Sequence, residues 1–397
     1  MRVLLFHPWL KSYGGGERLV YEYFRRSKHD IDVYSWYLDP ARTWFQPDDV
    51  RTILSGDSPV FRTYLLRGVA SLALSAAGLP DTADYDLVLL SSSGLGELTL
   101  LARRPRTPVV IYSHTILRAA YGPDVQWNLT YRFRGVKRLV YRTGVIVYNA
   151  LERLAWQRIN FAVFNSGLSR SRALDKGLIS PERAAIVFPG VELDGFASRD
   201  AENYFLYVSR FSPLKRQHVL IRAFARFARE YPGYRLYLVG SAENARYLEQ
   251  LRRLIRTLGV ESSVSLLTNV DDADLRNLYA RALAFVNVPF MEEFGIVPFE
   301  AAASGRFIIN VKPSGNYELL RNFPGILWID EPLYDSVLED RIYSALKRFV
   351  SSEDEFVELG RGNRKALKRL DLSWSRFAKE LDSILDSVAN VGEQPPQ

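Results

Sequence analysis

The strongest constraint on the fold is an alternation of short apolar runs with helical stretches, which begins with the first residues of the chain. The run RVLLFHP, residues 2 to 8, is followed by three glycines and then by ERLVYEYFRR, in which apolar residues recur at helical spacing. Further apolar runs, separated by helical sequence, are IDVYSWY, YDLVLLSS, PVVIYSH and FAVFNS. Short strands that alternate with helices predict an open parallel sheet with helices on its faces.

The same alternation restarts at FLYVSRF, residues 205 to 211, and continues to ILWI, residues 326 to 329. At 397 residues the chain is also longer than one hydrophobic core usually supports. We therefore predict an α/β protein of two Rossmann-like, doubly wound parallel-sheet domains, residues 1–190 and 204–372, with a linker at 191–203. Ligands of such sheets bind beyond the carboxyl ends of the strands, so we expect the functional loops at a cleft between the domains.

The end of the chain predicts one more helix and a short tail. In SWSRFAKELDSIL the apolar residues fall on one stripe, Trp374, Phe377, Leu381 and Leu385. Such a stripe needs a surface to cover, and we expect a helix at 373–390 to pack back on the first domain. The last residues, 391–397, lack material for a core and predict disorder.

Composition excludes several classes of protein. The chain has no cysteine and only four histidines, so disulfides, thiol chemistry and a cysteine or histidine-rich metal centre are not expected. The first apolar run is too short for a signal peptide, and no uncharged stretch approaches the roughly 20 residues of a membrane span. We expect a cytoplasmic protein, soluble or peripheral on the membrane.

Positive charge is concentrated in one segment. The net charge is +7, yet residues 103–172 contain thirteen Lys and Arg and only two acids. Within this segment, residues 130–159 mix basic with aromatic and aliphatic side chains, a composition that suits anionic lipid. The alternative is a solvated basic helix pair. The residues assigned to an acceptor and membrane face are Tyr13, Arg118, Arg134, Lys137 and Arg138.

The segment EEFGIVPFE, residues 292 to 300, carries the main candidate site. Two carboxylates, Glu292 and Glu300, frame a Phe-Gly turn before a helix that is predicted to begin near Pro298. Free N–H groups at a helix start attract an anion, and carboxylates accept hydrogen bonds from sugar hydroxyls, as a nucleotide sugar requires. The alternative is ordinary helix-start chemistry, with Pro in the first position and Glu in the first turn.

Further candidates follow other predicted strands. Arg210 and Lys215 come after the first strand of the second domain, where two cations would stabilise a diphosphate leaving group. His114 ends the run PVVIYSH and can bond a sugar hydroxyl. Gly15 and Gly16 belong to a glycine-rich strand-to-helix turn that allows close approach of a phosphate, although the spacing matches neither GxGxxG nor a P-loop. For each candidate a purely structural role is the alternative.

Two aspartate strings invite a metal interpretation. Asp30 and Asp32 begin a strand, however, and Asp271, Asp272 and Asp274 precede a helix as capping residues do. We therefore predict structural roles for both strings, no essential metal and no cofactor beyond a substrate.

Taken in order, these residues resemble the retaining glycosyltransferases of family 4, which have the GT-B fold of two facing Rossmann-like domains. The resemblance runs nearly from end to end, and the full ordered set of motifs is specific where any one motif is not. Three phrases, GGGERLV, IDVYSWYLDP and EEFGIVPFEA, are similar to mannosyltransferases that extend dolichol-linked oligosaccharides. The motifs are GGGER, YSH, VFNS, PGVELDGF, SRFSPLK, LVGSAE, EEFGIVPFE and SGNYE.

The resemblance implies a role for each candidate. Glu292 would contact the donor sugar, Glu300 the ribose hydroxyls, and His114 would lie beside the reacting sugar. Arg210 and Lys215 would hold the diphosphate with backbone N–H groups near Gly16 and Gly295, and the remaining donor contacts would come from Gly15, Phe294, Ile296 and Val297. The chain departs from the family pattern at Glu293, Ser314-Gly315, Arg306 and Phe307, and these departures bear on the identity of the sugar.

We therefore expect a metal-independent, retaining hexosyltransferase that moves mannose from GDP-mannose to a lipid-linked acceptor at an anionic membrane surface. The nearest alternative is a UDP-sugar transferase with a soluble acceptor. A basic nucleic-acid-binding protein would explain the positive charge, but no recognition motif accompanies it, so we expect no nucleic acid partner. A catalytically silent partner subunit is disfavoured by the intact candidate residues. The sequence does not specify an oligomeric state.

Overall fold

The computed structural model describes residues 1–11, 13–52, 79, 81–102, 104–242, 245–330 and 334–391. Two compact units are present. One comprises Met1–Gly190 together with Leu372–Gln397, and the other comprises Val191–Asp371. The segment predicted as a linker, 191–203, belongs to the second unit, and its last two residues already lie in a strand that begins at Glu202.

The first unit is built on a parallel sheet. Its strands are β1 Arg2–Phe6, β2 Trp9–Leu10, β3 Asp30–Ser35, β4 Tyr37–Leu38, β5 Val50–Thr52, β6 Leu87–Ser92, β7 Val109–Ser113, β8 Phe161–Phe164 and β9 Ala184–Ile186. Seven of them form the main sheet in the order β5-β3-β1-β6-β7-β8-β9, and β2 pairs with β4. All the pairs are parallel. The strand order reverses at β1, which places a topological switch point directly after Phe6.

Helices cover this sheet because its central strands are apolar on both faces. They are α1 Gly15–Arg26, α2 Thr99–Ala102, α3 Gly122–Trp127, α4 Val136–Trp156, α5 Gly167–Asp175 and, at the end of the chain, a helix Trp374–Val391. The predicted stripe of that last helix is buried in the core of the first unit with Val3, Leu5 and Tyr23. The Tyr23 hydroxyl also donates to Asp382, at 2.7 Å. Val391 ends the helix, and the rest of the predicted tail lies outside the described residues.

The second unit contains a second parallel sheet. Its strands are β10 Glu202–Val208, β11 Arg235–Val239, β12 Val264–Leu267, β13 Ala282–Asn287, β14 Phe307–Lys312 and β15 Ile326–Asp330. They are ordered β12-β11-β10-β13-β14-β15, with parallel pairing throughout. Its helices are α6 Gln217–Glu230, α7 Ala245–Leu258, α8 Asp272–Arg281, α9 Val297–Ala303, α10 Tyr317–Leu320, α11 Asp335–Ser351 and α12 Glu353–Leu367. The helix Trp374–Val391 of the first unit is numbered α13. The order reverses at β10.

The α/β class and the two parallel sheets that the sequence predicted are therefore confirmed. Within the described ranges, no helix is both long enough and apolar enough to cross a membrane.

Candidate functional site

The switch point of the second sheet carries the two predicted cations. Arg210 lies two residues beyond β10, and its side chain is exposed. Lys215 ends a short helical turn, Pro213–Lys215. The Leu214 carbonyl in that turn accepts a 2.7 Å hydrogen bond from the Phe290 backbone N–H, which joins the turn to the loop after β13. The loops of two neighbouring strands thus meet here.

An ion pair joins Lys215 to Glu292. The Lys215 ammonium contacts Glu292 Oε2, and the two side chains are 20% and 22% exposed. The sequence singled out both residues, but it assigned one to a diphosphate and the other to a sugar. The carboxylate thereby fixes the position of the ammonium beside the loop after β13.

The loop that carries Glu292 is held by the segment after β14. The Glu292 carbonyl accepts from the Gly315 N–H at 2.8 Å, and the Gly295 carbonyl accepts from Asn316 Nδ2 at 3.3 Å. Gly295 has φ of +71°, and a Cβ there would lie 2.8 Å from Glu292 Cγ. Both the backbone conformation and the space beside Glu292 therefore require glycine.

A row of buried asparagines supports this loop. Asn287 Nδ2 donates to Asn310 Oδ1 at 2.8 Å, and Asn310 Nδ2 donates to Asn316 Oδ1 at 3.0 Å. Ser314 Oγ donates to the same Asn316 oxygen at 2.7 Å. Sequence reasoning missed this network. Its available signal was an amide side chain within two otherwise apolar strand runs, LAFVN and FIIN.

We predict that Gly295→Ala lowers the unfolding free energy of the second unit by about 2 kcal/mol or more, because a positive φ and a clash act together. Gly259→Ala is the matched control, since Gly259 has φ of +67° and nothing within 4 Å of the added Cβ. That variant should lose only about 1 kcal/mol. Denaturant unfolding of both proteins measures the difference, and equal losses would contradict the steric role of Gly295.

Glu300 is oriented by a buried tyrosine. Helix α9 begins at Val297, which confirms the predicted helix start near Pro298. The Tyr279 hydroxyl donates to Glu300 Oε2 at 2.7 Å. Burial, with the neighbouring Glu300 as a further cause, raises the pKa of Tyr279 well above its ordinary value, so the hydroxyl keeps its proton. Glu300 therefore has one oxygen fixed by a neutral donor.

The remaining predicted donor contacts differ in exposure. The Phe294 ring is buried and stacks on Phe299 with centroids 5.4 Å apart, so its side chain belongs to the core. Any ligand contact at this position comes from its backbone. Ile296 is exposed, and Val297 is partly exposed at the start of α9.

The departure at Arg306 has a structural cause. Its guanidinium is buried and donates to the carbonyls of Ser304, Ala282 and Arg199 and to the Ser198 hydroxyl, at 2.6 to 2.9 Å. Burial lowers the pKa of Arg306 to about 10. Arg306 thus ties the segment before β10 to β13, and this departure from the family pattern carries no information about a sugar.

In the first unit, His114 belongs to a cluster with His7 and Ser91. His114 directly follows β7, and its Nε2 lies 2.8 Å from Ser91 Oγ. His7 directly follows β1, at the switch point, and its Nδ1 lies 3.0 Å from the same oxygen. Burial, with His7 as a second cause, lowers the pKa of His114 to about 3, and burial lowers that of His7 to about 4. Both rings are therefore neutral at pH 7.

His7 and Ser91 were not among the predicted site residues. The signal for His7 was available, because a histidine directly after the first strand of such a sheet lies at its carboxyl end. Ser91 gave no signal, since a serine at the end of a buried strand is common.

Gly16, in the first turn of α1, borders this cluster. Gly15 and Gly16 form the first positions of the helix, and neither has a positive φ. A Cβ at Gly16 would lie 3.6 Å from His114 Cε1 and 3.8 Å from His7 Cε1. No turn requires glycine at these two positions, and a Cβ at Gly16 would be in ordinary van der Waals contact with the two imidazoles.

The predicted membrane residues fall into different environments. Tyr13 is exposed and meets Trp44 edge to face, with centroids 5.0 Å apart. Arg118 Nη2 lies 3.0 Å from Asp124 Oδ1, so the charge of this residue is compensated within the unit. Arg134, Lys137 and Arg138 are exposed before and within the first turn of α4.

The aspartate strings have the predicted structural roles. Asp271 caps α8 by accepting from the Asp274 N–H at 2.8 Å. Asp32 pairs with Arg2 at 2.8 Å. Across the part of the chain that the structure describes, no group of three or more His, Asp or Glu side chains is arranged to hold a metal ion.

Comparison with known proteins finds similarity in the second unit and, at lower identity, over most of the chain. Residues 193–361 match the family model described as Glycosyl transferases group 1. A D-inositol 3-phosphate glycosyltransferase of Acidothermus cellulolyticus is 27% identical over 328 residues, which cover 76% of this chain and 70% of that protein. A protein of the same name from Segniliparus rotundus is 32% identical over 149 residues, which cover 34% of this chain but only 33% of that relative.

Solved structures agree at the level of the fold. HepE of Anabaena, crystallised in complex with UDP, matches with a TM-score of 0.69 and 18% identity, covering 98% of this chain and 100% of HepE. The same protein has been crystallised with UDP-glucose. The chain therefore has the α/β fold of GT-B glycosyltransferases. Over residues 193–361, its second unit is similar to the family described as Glycosyl transferases group 1.

Proposed function

We propose that this protein is a retaining, metal-independent hexosyltransferase that binds a nucleotide sugar on its second unit. One observation carries the proposal, namely the Lys215–Glu292 ion pair at the switch point of an all-parallel sheet. The Lys215 ammonium can bind a diphosphate, and the Glu292 carboxylate can accept a hydrogen bond from a hexose hydroxyl. The two groups meet where the loops after β10 and β13 come together. The similarity to glycosyl transferases group 1 supports the same chemistry.

The charges suggest how catalysis proceeds. As the glycosidic bond breaks, negative charge collects on the departing diphosphate, and Arg210 and Lys215 stabilise it without a metal. Glu292 holds the hexose, and Glu300 accepts from the ribose hydroxyls. The acceptor oxygen bonds the anomeric carbon on the face that the phosphate leaves, and its proton passes to the departing phosphate oxygen. No carboxylate nucleophile is needed, and configuration is retained.

For the donor we propose GDP-mannose, because the phrases GGGERLV, IDVYSWYLDP and EEFGIVPFEA resemble dolichol-linked mannosyltransferases. The competing donor is a UDP-hexose with a soluble acceptor. HepE has been crystallised with UDP and with UDP-glucose, and two relatives are named D-inositol 3-phosphate glycosyltransferase.

A thermal-shift panel of GDP, GDP-mannose, UDP and UDP-glucose tests this proposal. A ligand at 100 times its dissociation constant stabilises the protein by about 2.7 kcal/mol. The nucleotides with the correct base should therefore raise the melting temperature much more than those with the other base. We expect the guanine pair to do so, and repeating the panel with EDTA tests metal independence. A shift with UDP compounds alone would overturn the mannose assignment, and no shift with any nucleotide would overturn the donor site.

For the acceptor we propose a lipid-linked glycan, reached from an anionic membrane surface through α4. Apolar side chains at spacings of three, four and seven residues line one face of this helix and are each at least half exposed: Val136, Leu139, Val140, Ile146, Val147 and Leu154. The opposite face buries Glu152, Ala155 and Trp156 against the unit. Exposed Lys137 and Arg142 flank the apolar stripe, as a helix lying in a lipid interface requires.

We predict that replacing Arg134, Lys137 and Arg138 with Gln weakens binding to phosphatidylserine vesicles on the order of a hundredfold. Each basic residue near such a surface contributes about 1 kcal/mol. Vesicle co-flotation measures the affinity. The matched control removes three exposed arginines from α7, Arg252, Arg253 and Arg256, and should bind as the wild type does.

A second variant, Ile146→Ser with Val147→Ser, separates apolar insertion from charge attraction. It should weaken binding even at a salt concentration that screens the arginines. Unchanged binding in both the charge variant and the apolar variant would refute the membrane face of α4 and favour a soluble acceptor.

A further inference from the structure

The geometry points to His7 and Ser91 as positioning residues that fix which ring nitrogen of His114 carries the proton. This inference rests on the proposed function and on the position beside the reacting sugar that the family resemblance implies for His114. It concerns two residues that neither the motifs nor the family model, which covers residues 193–361, assigns to a site.

The three side chains come from three adjacent strands. Strand β6, which carries Ser91, lies between β1 and β7 in the sheet. His7 follows β1 and His114 follows β7, so the serine hydroxyl lies between the two imidazoles. All three residues are buried, and the two rings meet edge to face with centroids 6.0 Å apart. The arrangement is therefore part of the sheet and does not depend on a mobile loop.

A serine hydroxyl has one proton and two lone pairs. It can donate to only one of the two nitrogens that face it, so at least one of those nitrogens carries its own proton. Because both rings are neutral, each has a single N–H, and a proton on the side that faces Ser91 leaves the other nitrogen bare. The tautomers of His7 and His114 are therefore coupled through one oxygen.

This coupling decides what His114 offers to a ligand. Its Nε2 is engaged by Ser91, which leaves Nδ1 for a sugar. If Nε2 carries the proton, Nδ1 accepts from a sugar hydroxyl, and if Ser91 donates to Nε2, Nδ1 is itself a donor. Without the serine, neither state is selected, and only a fraction of the molecules present the productive nitrogen.

Nitrogen NMR of histidine-labelled protein tests the inference, since the chain has only four histidines, at positions 7, 29, 114 and 218. The His114 signals are assigned by their loss in His114→Asn. In the wild type we expect one dominant tautomer at His114. Ser91→Ala and His7→Leu should move its two nitrogen shifts toward the average of a freely exchanging ring. His7→Asn, which keeps a hydrogen-bonding atom at the Nδ1 position, should preserve the wild-type shifts.

Kinetics provide the second measurement. Ser91→Ala and His7→Leu should lower kcat about fivefold to tenfold, the value of one hydrogen bond, with KM for the donor unchanged and with recovery in His7→Asn. Unchanged His114 shifts in both Ser91→Ala and His7→Leu would overturn the inference. The NMR result needs no donor, so it stands apart from a failure of the proposed function, which the nucleotide panel reports.

Discussion

Glu292→Gln is expected to leave the fold and donor binding nearly intact while lowering turnover by about 10² to 10³, the usual cost of removing one preorganised electrostatic group. The amide has the shape of the carboxylate but no charge, so Lys215 loses its partner and the hexose loses a strong acceptor. Because both side chains are partly exposed, the ion pair itself contributes little to stability. Steady-state kinetics with the donor identified by the nucleotide panel, together with thermal unfolding, measure the two effects separately.

The control for Glu292 is a double-mutant cycle with Lys215→Met. If the ion pair acts as a unit, turnover in the double variant should be only slightly lower than in the less active single variant. Independent residues would instead give additive losses of activation free energy. Full activity in Glu292→Gln would refute its role at the sugar. A loss of activity that tracks a loss of folded protein would reduce Glu292 to a structural residue.

Glu300→Gln should weaken donor binding on the order of 10- to 100-fold and change turnover of the bound donor much less. A hydrogen bond to a charged acceptor contributes about 1.5 to 3 kcal/mol, and the bond between Glu300 and a ribose hydroxyl forms only when the donor is bound. Tyr279→Phe is the matched variant, because it keeps the carboxylate and removes only the 2.7 Å hydrogen bond that orients it. Its loss of affinity should be smaller than that of Glu300→Gln.

A sharper version of the Glu300 experiment compares a nucleoside diphosphate with its 2′,3′-dideoxy analogue. The wild type should prefer the ribonucleotide, and Glu300→Gln should abolish most of that preference, since the analogue lacks the hydroxyls that the carboxylate would bind. If the variant discriminates as well as the wild type, Glu300 does not bind the ribose, and its contact with Tyr279 has only a structural purpose.

Much of the architecture could be predicted from local pattern. The restart of the strand and helix alternation predicted two parallel α/β sheets, and the apolar stripe of α13 matched its buried face. The helix start near Pro298 and the cap at Asp271 were also predictable, because capping and proline chemistry act over only a few residues.

The pairing of site residues was not predictable in the same way. Lys215 and Glu292 are separated by 77 positions, and nothing local to either indicates the other. His7, Ser91 and His114 meet only because β6 is inserted between β1 and β7. The pairing of Arg118 with Asp124 was likewise not predicted, because it depends on how the chain folds between these two residues.

The class of fold and the residue types available to the site follow from local sequence, since periodicity, helix starts and motif order all depend on neighbouring residues. The tertiary structure alone decided which side chains became partners. It joined Lys215 to Glu292, fixed Glu300 through Tyr279, buried Arg306 among carbonyls and left the apolar stripe of α4 exposed. The physical reason is that strand order in a parallel sheet sets contacts between distant residues, and short-range sequence pattern does not encode that order.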